Sequence, residues 1–150
     1  MRILLDSEKC LGCHTCENTC AAIHSKSGTF LGAATSGERA LSAVRIAVNE
    51  DGKLIAHRCL HCEDPECVTA CPTGAMKKDP ESGVVWCNME ECTSCFICAE
   101  ACSFGAITPL YDEGIPFKCD LCRTRAEGPA CIIACPTSAL RLSEACAEEK

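Results

Sequence analysis

Cys10-Leu-Gly-Cys13-His-Thr-Cys16-Glu-Asn-Thr-Cys20 is the stretch on which the reading of this chain turns. Three cysteines at intervals of three occupy one tight loop, and a fourth stands four positions later. The same spacing returns at Cys92, Cys95, Cys98 and Cys102. Stretched versions stand at Cys59, Cys62, Cys67 and Cys71, and at Cys119, Cys122, Cys131 and Cys135. Sixteen of the eighteen cysteines fall into these groups, leaving Cys87 and Cys146 outside. Three thiolates on one loop suit three irons of a 4Fe-4S cube. The fourth lies about one helical turn further on, so a helix carries it away toward a second cube. Such groups therefore work in pairs, and four groups predict four 4Fe-4S clusters held by those sixteen cysteines.

Composition narrows the class. Aromatic residues make up 4% of the 150, too few for a large hydrocarbon core, so metal sites must supply the missing cohesion. Cysteine at this density belongs either to a disulfide scaffold or to a metal protein in a reducing compartment. Disulfides between cysteines this close in sequence would be strained, and the nine residues before Cys10 leave no space for a secretion signal or a twin-arginine leader. No apolar run reaches eighteen residues, so no membrane span is expected, and the reading is a cytoplasmic protein. The formal charge is −7 with neutral thiols. Four clusters with their thiolates take it to about −15, which disfavours nucleic acid and suits a basic face on another redox protein.

The chain repeats itself loosely, a compact group giving way twice to a stretched one. The residues after the fourth cysteine repeat too: Cys71-Pro-Thr-Gly-Ala-Met, Cys102-Ser-Phe-Gly-Ala-Ile and Cys135-Pro-Thr-Ser-Ala-Leu, with Cys20-Ala-Ala-Ile as the exception. Pro72 and Pro136 are expected to end two ligand helices, and Pro65 and Pro129 to open them. Alternation at Val44, Ile46 and Val48 predicts a strand. Val84-Val85-Trp86 predicts a hairpin arm returning from Ala75-Met76 across the turn at 79–83. Residues 25–38, rich in Ser, Gly, Thr and Ala, are expected to form an exposed loop, or equally a docking segment.

The four groups together resemble the electron-transfer subunits that carry four 4Fe-4S clusters beside molybdenum or tungsten pterin enzymes, hydrogenases and carbon monoxide dehydrogenase. The resemblance rests on Lys9-Cys-Leu-Gly-Cys-His-Thr-Cys-Glu17, Arg58-Cys-Leu-His-Cys-Glu-Asp-Pro-Glu-Cys67 with Cys-Pro-Thr-Gly-Ala at 71–75, and Lys118-Cys-Asp-Leu-Cys122 with Pro-Ala-Cys-Ile-Ile-Ala-Cys-Pro at 129–136. It implies an α+β fold of nested bacterial ferredoxin-like modules, with short helices, small β-hairpins and low secondary-structure content. Residues 1–150 would form one polyferredoxin domain, the groups at 10–20 and 119–135 making one module and those at 59–71 and 92–102 the other. The nested arrangement implies cubes on Cys10, Cys13, Cys16 and Cys135; on Cys119, Cys122, Cys131 and Cys20; on Cys59, Cys62, Cys67 and Cys102; and on Cys92, Cys95, Cys98 and Cys71. Spacing alone leaves open a sequential pairing of groups one with two and three with four. Against the family pattern, Ser103 stands where proline is usual, and Thr93-Ser94 and Phe96-Ile97 replace a glycine-bearing loop.

Plainer readings stand beside these. Four zinc sites would use the same thiolates, but zinc ribbons use separated cysteine pairs rather than a third cysteine on the loop. Cys87 reads as a small buried residue and Cys146 as a free thiol in an acidic tail. His14 and His61 read as solvent-facing loop histidines. Lys9, Arg58, Lys118 and Arg123 flank ligands, where they either stabilise a reduced cube or are merely solvated. Trp86 and Tyr111 read as packing residues. No nucleophile with a partnered base, phosphate loop or open metal position is visible, so no catalytic site is expected. The expected function is relay of single electrons between a catalytic subunit and a second redox partner. By resemblance that subunit is of the formate dehydrogenase, tungsten aldehyde oxidoreductase, hydrogenase or carbon monoxide dehydrogenase type, and copies of the chain would stack into a longer wire. A freely diffusing polyferredoxin is the alternative.

Overall fold

A computed structural model describes residues 1–37 and 40–143. Cys146 and the polar end at 148–150 lie outside the described residues. Helix and strand each take up about a fifth of the chain, in short pieces. The fold is α+β, a set of two-stranded sheets and short helices.

The chain divides into two compact units. One contains Cys59–Asp120 with Met1–Arg2. Its hairpins are β4 (Met76–Lys78) with β5 (Val85–Cys87) and β6 (Thr108–Leu110) with β7 (Ile115–Phe117), both antiparallel. Its helices are α3 (Glu66–Thr69) and α4 (Ile97–Glu100). Met76, Val85 and Ile107 are buried together with Cys67 and Cys98, and Cys71, Cys87 and Cys102 pack around them. Much of what serves as a core here is sulfur. The amino terminus donates to Ser82 O at 2.8 Å.

The other unit contains Ile3–Arg58 and Leu121–Leu142. Here β1 (Arg2–Leu5) pairs with β8 (Leu140–Ser143), so the start of the chain meets the end of the described sequence. The second sheet is the antiparallel hairpin of β2 (Val44–Val48) and β3 (Leu54–Arg58). Val44 and Ile46 face inward as the alternation predicts, and Val48 at the strand end is exposed. Helices α1 (Thr15–Ile23) and α5 (Ala130–Ile133) carry ligand-type cysteines. Glu17 of α1 accepts from Ile46 N at 2.6 Å and is hydrogen-bonded to His14 Nδ1 at 2.7 Å, tying helix to hairpin. The segment at 25–38 is not the plain loop expected. It forms α2 (Phe30–Thr35), opened by Thr29, whose Oγ1 accepts from Gly32 N at 3.1 Å. Six residues are too few to show the helical periodicity by which such an element is recognised.

One local design recurs. The third cysteine of every group, Cys16, Cys67, Cys98 or Cys131, is the second residue of its helix. Helices α3, α4 and α5 then end two residues before the next cysteine, and Cys71, Cys102 and Cys135 each donate N–H to the carbonyl three residues back. That tightened last turn is what stops them. Pro72 and Pro136 are not the cause expected from sequence, because α4 stops at the same place with Ser103 in that position. Three residues beyond each of these cysteines the backbone turns left-handed, at Gly74, Gly105 and Ser138. This explains the repeated Cys-X-X-Gly-Ala, in which the following Ala75 and Ala139 are buried. Ser138 takes the left-handed turn (φ 52) that glycine fills at the other two, at a cost of about 1 kcal/mol. Ser138→Gly is therefore expected to raise stability by roughly 0.5–1 kcal/mol, read as a higher denaturation midpoint of the anaerobic holo-protein; a lower midpoint would show that the serine carries no strain.

Candidate metal centres

The residue before the second cysteine of each group is also left-handed: Gly12, His61, Ser94 and Leu121. Such a turn folds successive backbone N–H groups toward one side of the loop, the side on which an anion is favoured. Ser94 holds the conformation that Gly12 adopts freely, and its Oγ donates to Gly114 O at 2.7 Å. The loop with the atypical sequence thus keeps the same backbone turn by other means.

The sulfurs gather in a defined way. Cys10, Cys13 and Cys16 line a hollow together with Cys135. Cys92, Cys95 and Cys98 line another together with Cys71, and Cys87 lines it too. Cys62 and Cys67 line a wider opening together with Cys102, and Cys59 interacts electrostatically with Cys62 and Cys67. Cys131 is surrounded by Cys20, Cys122 and Cys16, and Cys20 in turn feels Cys122. Cys119 is buried at the end of the unit Cys59–Asp120.

Backbone N–H groups point at these sulfurs. Ala43 N reaches Cys20 Sγ at 3.3 Å, Met76 N reaches Cys71 at 3.4 Å, and Ala106 N reaches Cys102 at 3.4 Å. His61 N to Cys59 and Ser94 N to Cys92 are each 3.5 Å. A thiolate only accepts, so this arrangement is built for the ionised sulfur that binds iron. The protonation energetics are split. Burial pushes the Cys131 thiol up to about 12, and Cys16 and Cys67 up to about 11. At Cys71 and Cys135 burial also raises, but N–H donors, Met76 and Leu140 respectively, and the threonine two residues on bring the net shift below the ordinary thiol value. Cys13 is lowered first by its contact with Thr15 Oγ1 at 3.3 Å. The raised thiols must be ionised by something that binds them, and a cluster does so. Sulfur-only donors, N–H groups aimed at sulfur and apolar walls fit 4Fe-4S clusters.

Several residues lie elsewhere than the sequence suggests. His61 is not solvent-facing: it is 2% exposed, and its Nδ1 accepts from Val85 N at 2.9 Å. A hairpin strand covers it, a long-range packing event that its loop position does not announce. His14 is exposed and bonded to Glu17 as above. The four flanking cations divide. Lys9 pairs with Asp6 at the surface and Arg123 is exposed. Arg58 and Lys118, each directly before a group, are buried against carbonyls. Arg58 Nε donates to Ile3 O at 2.6 Å, and Lys118 Nζ donates to Val85 O and, at 2.6 Å, to Cys119 O. The Lys118 charge lowers the cost of ionising Cys67. Tyr111 packs edge-on against Phe96, ring centroids 4.8 Å apart, while staying largely exposed.

Cys87, outside the four groups by spacing, nevertheless reaches one of the sites. Its hairpin register sets it opposite Met76, the residue whose N–H binds Cys71. The hairpin expected from sequence is the signal that brings Cys87 there.

Short helices, two-stranded sheets and sulfur-lined hollows define a ferredoxin-type iron-sulfur protein. The chain belongs to the family of 4Fe-4S dicluster domains, two models of which match residues 51–145 and 6–75. It is 37% identical over 141 residues to the putative electron transport protein YsaA of Escherichia coli, covering 93% of this chain and 87% of that one. It is 35% identical over 155 residues to the electron transport protein HydN of the same organism, covering 92% and 85%. Formate hydrogenlyase subunit 2, also of E. coli, is 33% identical over 174 residues, with 93% and 80% covered. Among solved structures, a chain of the active site complex BamBC of benzoyl coenzyme A reductase matches with a TM-score of 0.49 at 25% identity, covering 93% of this chain and 76% of that one. The protein is an iron-sulfur electron-transfer protein with four 4Fe-4S clusters. YsaA and HydN are electron transport proteins by name, and no described helix is long and apolar enough to cross a membrane.

Proposed function

We propose that the sixteen grouped cysteines are the cluster ligands, that the pairing is nested, and that the chain serves as the electron-transfer subunit of an oxidoreductase complex. One observation carries the wiring: a hollow lined by Cys10, Cys13 and Cys16 takes its fourth sulfur from Cys135, at the far end of the sequence. The same exchange of the fourth sulfur recurs for Cys102 beside Cys62 and Cys67, and for Cys71 beside Cys92, Cys95 and Cys98. This pairing makes two ferredoxin-like modules, the groups at 10–20 and 119–135 forming one and those at 59–71 and 92–102 the other. When bound, the clusters supply reversible one-electron transfer. The chain's own part is to hold thiolates by N–H donors, to wall them with apolar side chains, and to complete each set with protein sulfur so that no substrate position remains.

Formate hydrogenlyase subunit 2 is by its name part of a larger assembly, and the likeness to it supports a catalytic partner of the formate dehydrogenase or hydrogenase type. Eighteen cysteines, sixteen of them in ligand-type groups, suit the reducing cytoplasm. Anaerobic isolation from the native host, with gel filtration and mass spectrometry of the eluted particle, tests the subunit reading. A large catalytic chain is expected to co-elute. Elution as a monomer at every dilution would instead mark a diffusing shuttle. A colourless preparation, silent in electron spin resonance after dithionite, would sink both.

A further inference from the structure

Five cysteines, not four, converge on the hollow of Cys92, Cys95, Cys98 and Cys71. The fifth is Cys87. Its thiol lies within hydrogen-bonding reach of the Cys92 sulfur and interacts with Cys98 and Cys71. Strand β5 fixes its position, because the Met76↔Cys87 pair locks it to the strand whose Met76 N–H binds Cys71. The Cys92 side of the site is a tightly turned loop. Its loop carries Ser94 at φ 55 and Phe96 at φ 58, left-handed positions filled without glycine. Neither the hollow of Cys10, Cys13, Cys16 and Cys135 nor that of Cys62, Cys67 and Cys102 is lined by an extra cysteine among the described residues.

We propose that Cys87 is a reserve ligand of this site, able to take over the iron position of Cys92. The exchange breaks one iron–Sγ bond at Cys92 and forms one at Cys87. Cys87 gives up its proton, the departing Cys92 sulfur accepts one, and no electron is gained or lost. A rigid thiol already touching the bound sulfur needs little chain movement for this. The sulfurs that Cys87 chiefly faces are Cys92, Cys98 and Cys71 rather than Cys95. The site would thus survive loss or modification of Cys92 but not of Cys95.

This inference rests on the ligand assignment proposed above, and the test separates the two. Full-length protein is prepared anaerobically as Cys92→Ala, Cys95→Ala and the double variant Cys87→Ala/Cys92→Ala, and iron and acid-labile sulfide are counted per chain. Cys92→Ala is expected to keep the full content of about sixteen irons, four per cluster, while the double variant and Cys95→Ala each lose about four. If Cys92→Ala loses as much iron as the double variant, the reserve role fails and the ligand assignment stands. If the double variant keeps all its iron, Cys92 is no ligand and both readings fail. Should alanine at 92 prevent isolation, Cys92→Ser with and without Cys87→Ala is read by the same counts.

Discussion

Cys135→Ala is expected to remove about a quarter of the iron, four of roughly sixteen atoms, from the site at the opposite end of the chain. The Cys135 sulfur lines the hollow of Cys10, Cys13 and Cys16. Its donors, Leu140 N–H and the Thr137 hydroxyl, hold it as the readily ionised member of a set in which Cys16 is pushed up to about 11. Removing it leaves three sulfurs around that hollow and, among the described residues, no other cysteine lining it. Anaerobic alkylation with subsequent mass spectrometry locates the loss. Labelling at Cys10, Cys13 and Cys16, with the cysteines at 92–98 still protected, is the expected pattern. Under a sequential pairing the pattern reverses, with labelling at 92–98 and protection at 10–16, and that outcome would falsify the nested arrangement.

Stripping the metal is expected to cost the protein its fold. Domains are stable by only about 5–15 kcal/mol, and a structural metal bound by thiolates contributes on the order of 10 kcal/mol. The unit containing Cys59–Asp120 has a core of Met76, Val85 and Ile107 with cysteines filling much of the remaining space. Such a core cannot outweigh the entropy of ordering its loops. Chelation in acid should therefore abolish the far-ultraviolet signal of the hairpins and expand the chain on gel filtration; a compact, strand-containing apo-protein at pH 7 would overturn this. Any residual structure carries a signed pH dependence. Cys131, at about 12 when folded, and Cys16 and Cys67, at about 11, all lie above the ordinary thiol value of 9.0. Below pH 9 both states hold their protons and the contribution is intact. Between 9 and 11–12 the unfolded chain releases protons first, so that residue of structure is lost as the pH climbs.

The metal chemistry is legible because cysteine spacing is a local signal that directly encodes ligand geometry. The hairpin at 76–87 is legible for the same kind of reason, with a turn-rich segment between two apolar runs. What sequence conceals depends on distant parts of the chain. His61 is buried because Val85, from a separate strand, donates to its ring. Cys87 joins a site because the hairpin register turns it toward Cys71 and Cys92, which composition around residue 87 does not reveal. Helix α2 is hidden for another reason. Its sequence, Phe-Leu-Gly-Ala-Ala-Thr, carries a glycine and spans under two turns, so neither propensity nor periodicity marks it. Proline is the end of a ligand helix that the sequence suggests, yet the tightened last turn sets that end, as Ser103 demonstrates.

Strand β1 opens the chain and pairs with β8, and the cysteines at 10–16 share a hollow with Cys135. A ribosome adding about 5–20 residues per second needs roughly 6–25 seconds to travel from position 10 to position 135. Under the proposed nested pairing, the earliest thiols wait through that interval for the sulfur that closes their set. The inner groups at 59–102 are complete well before, so the sites would be sealed from the inner pair outward.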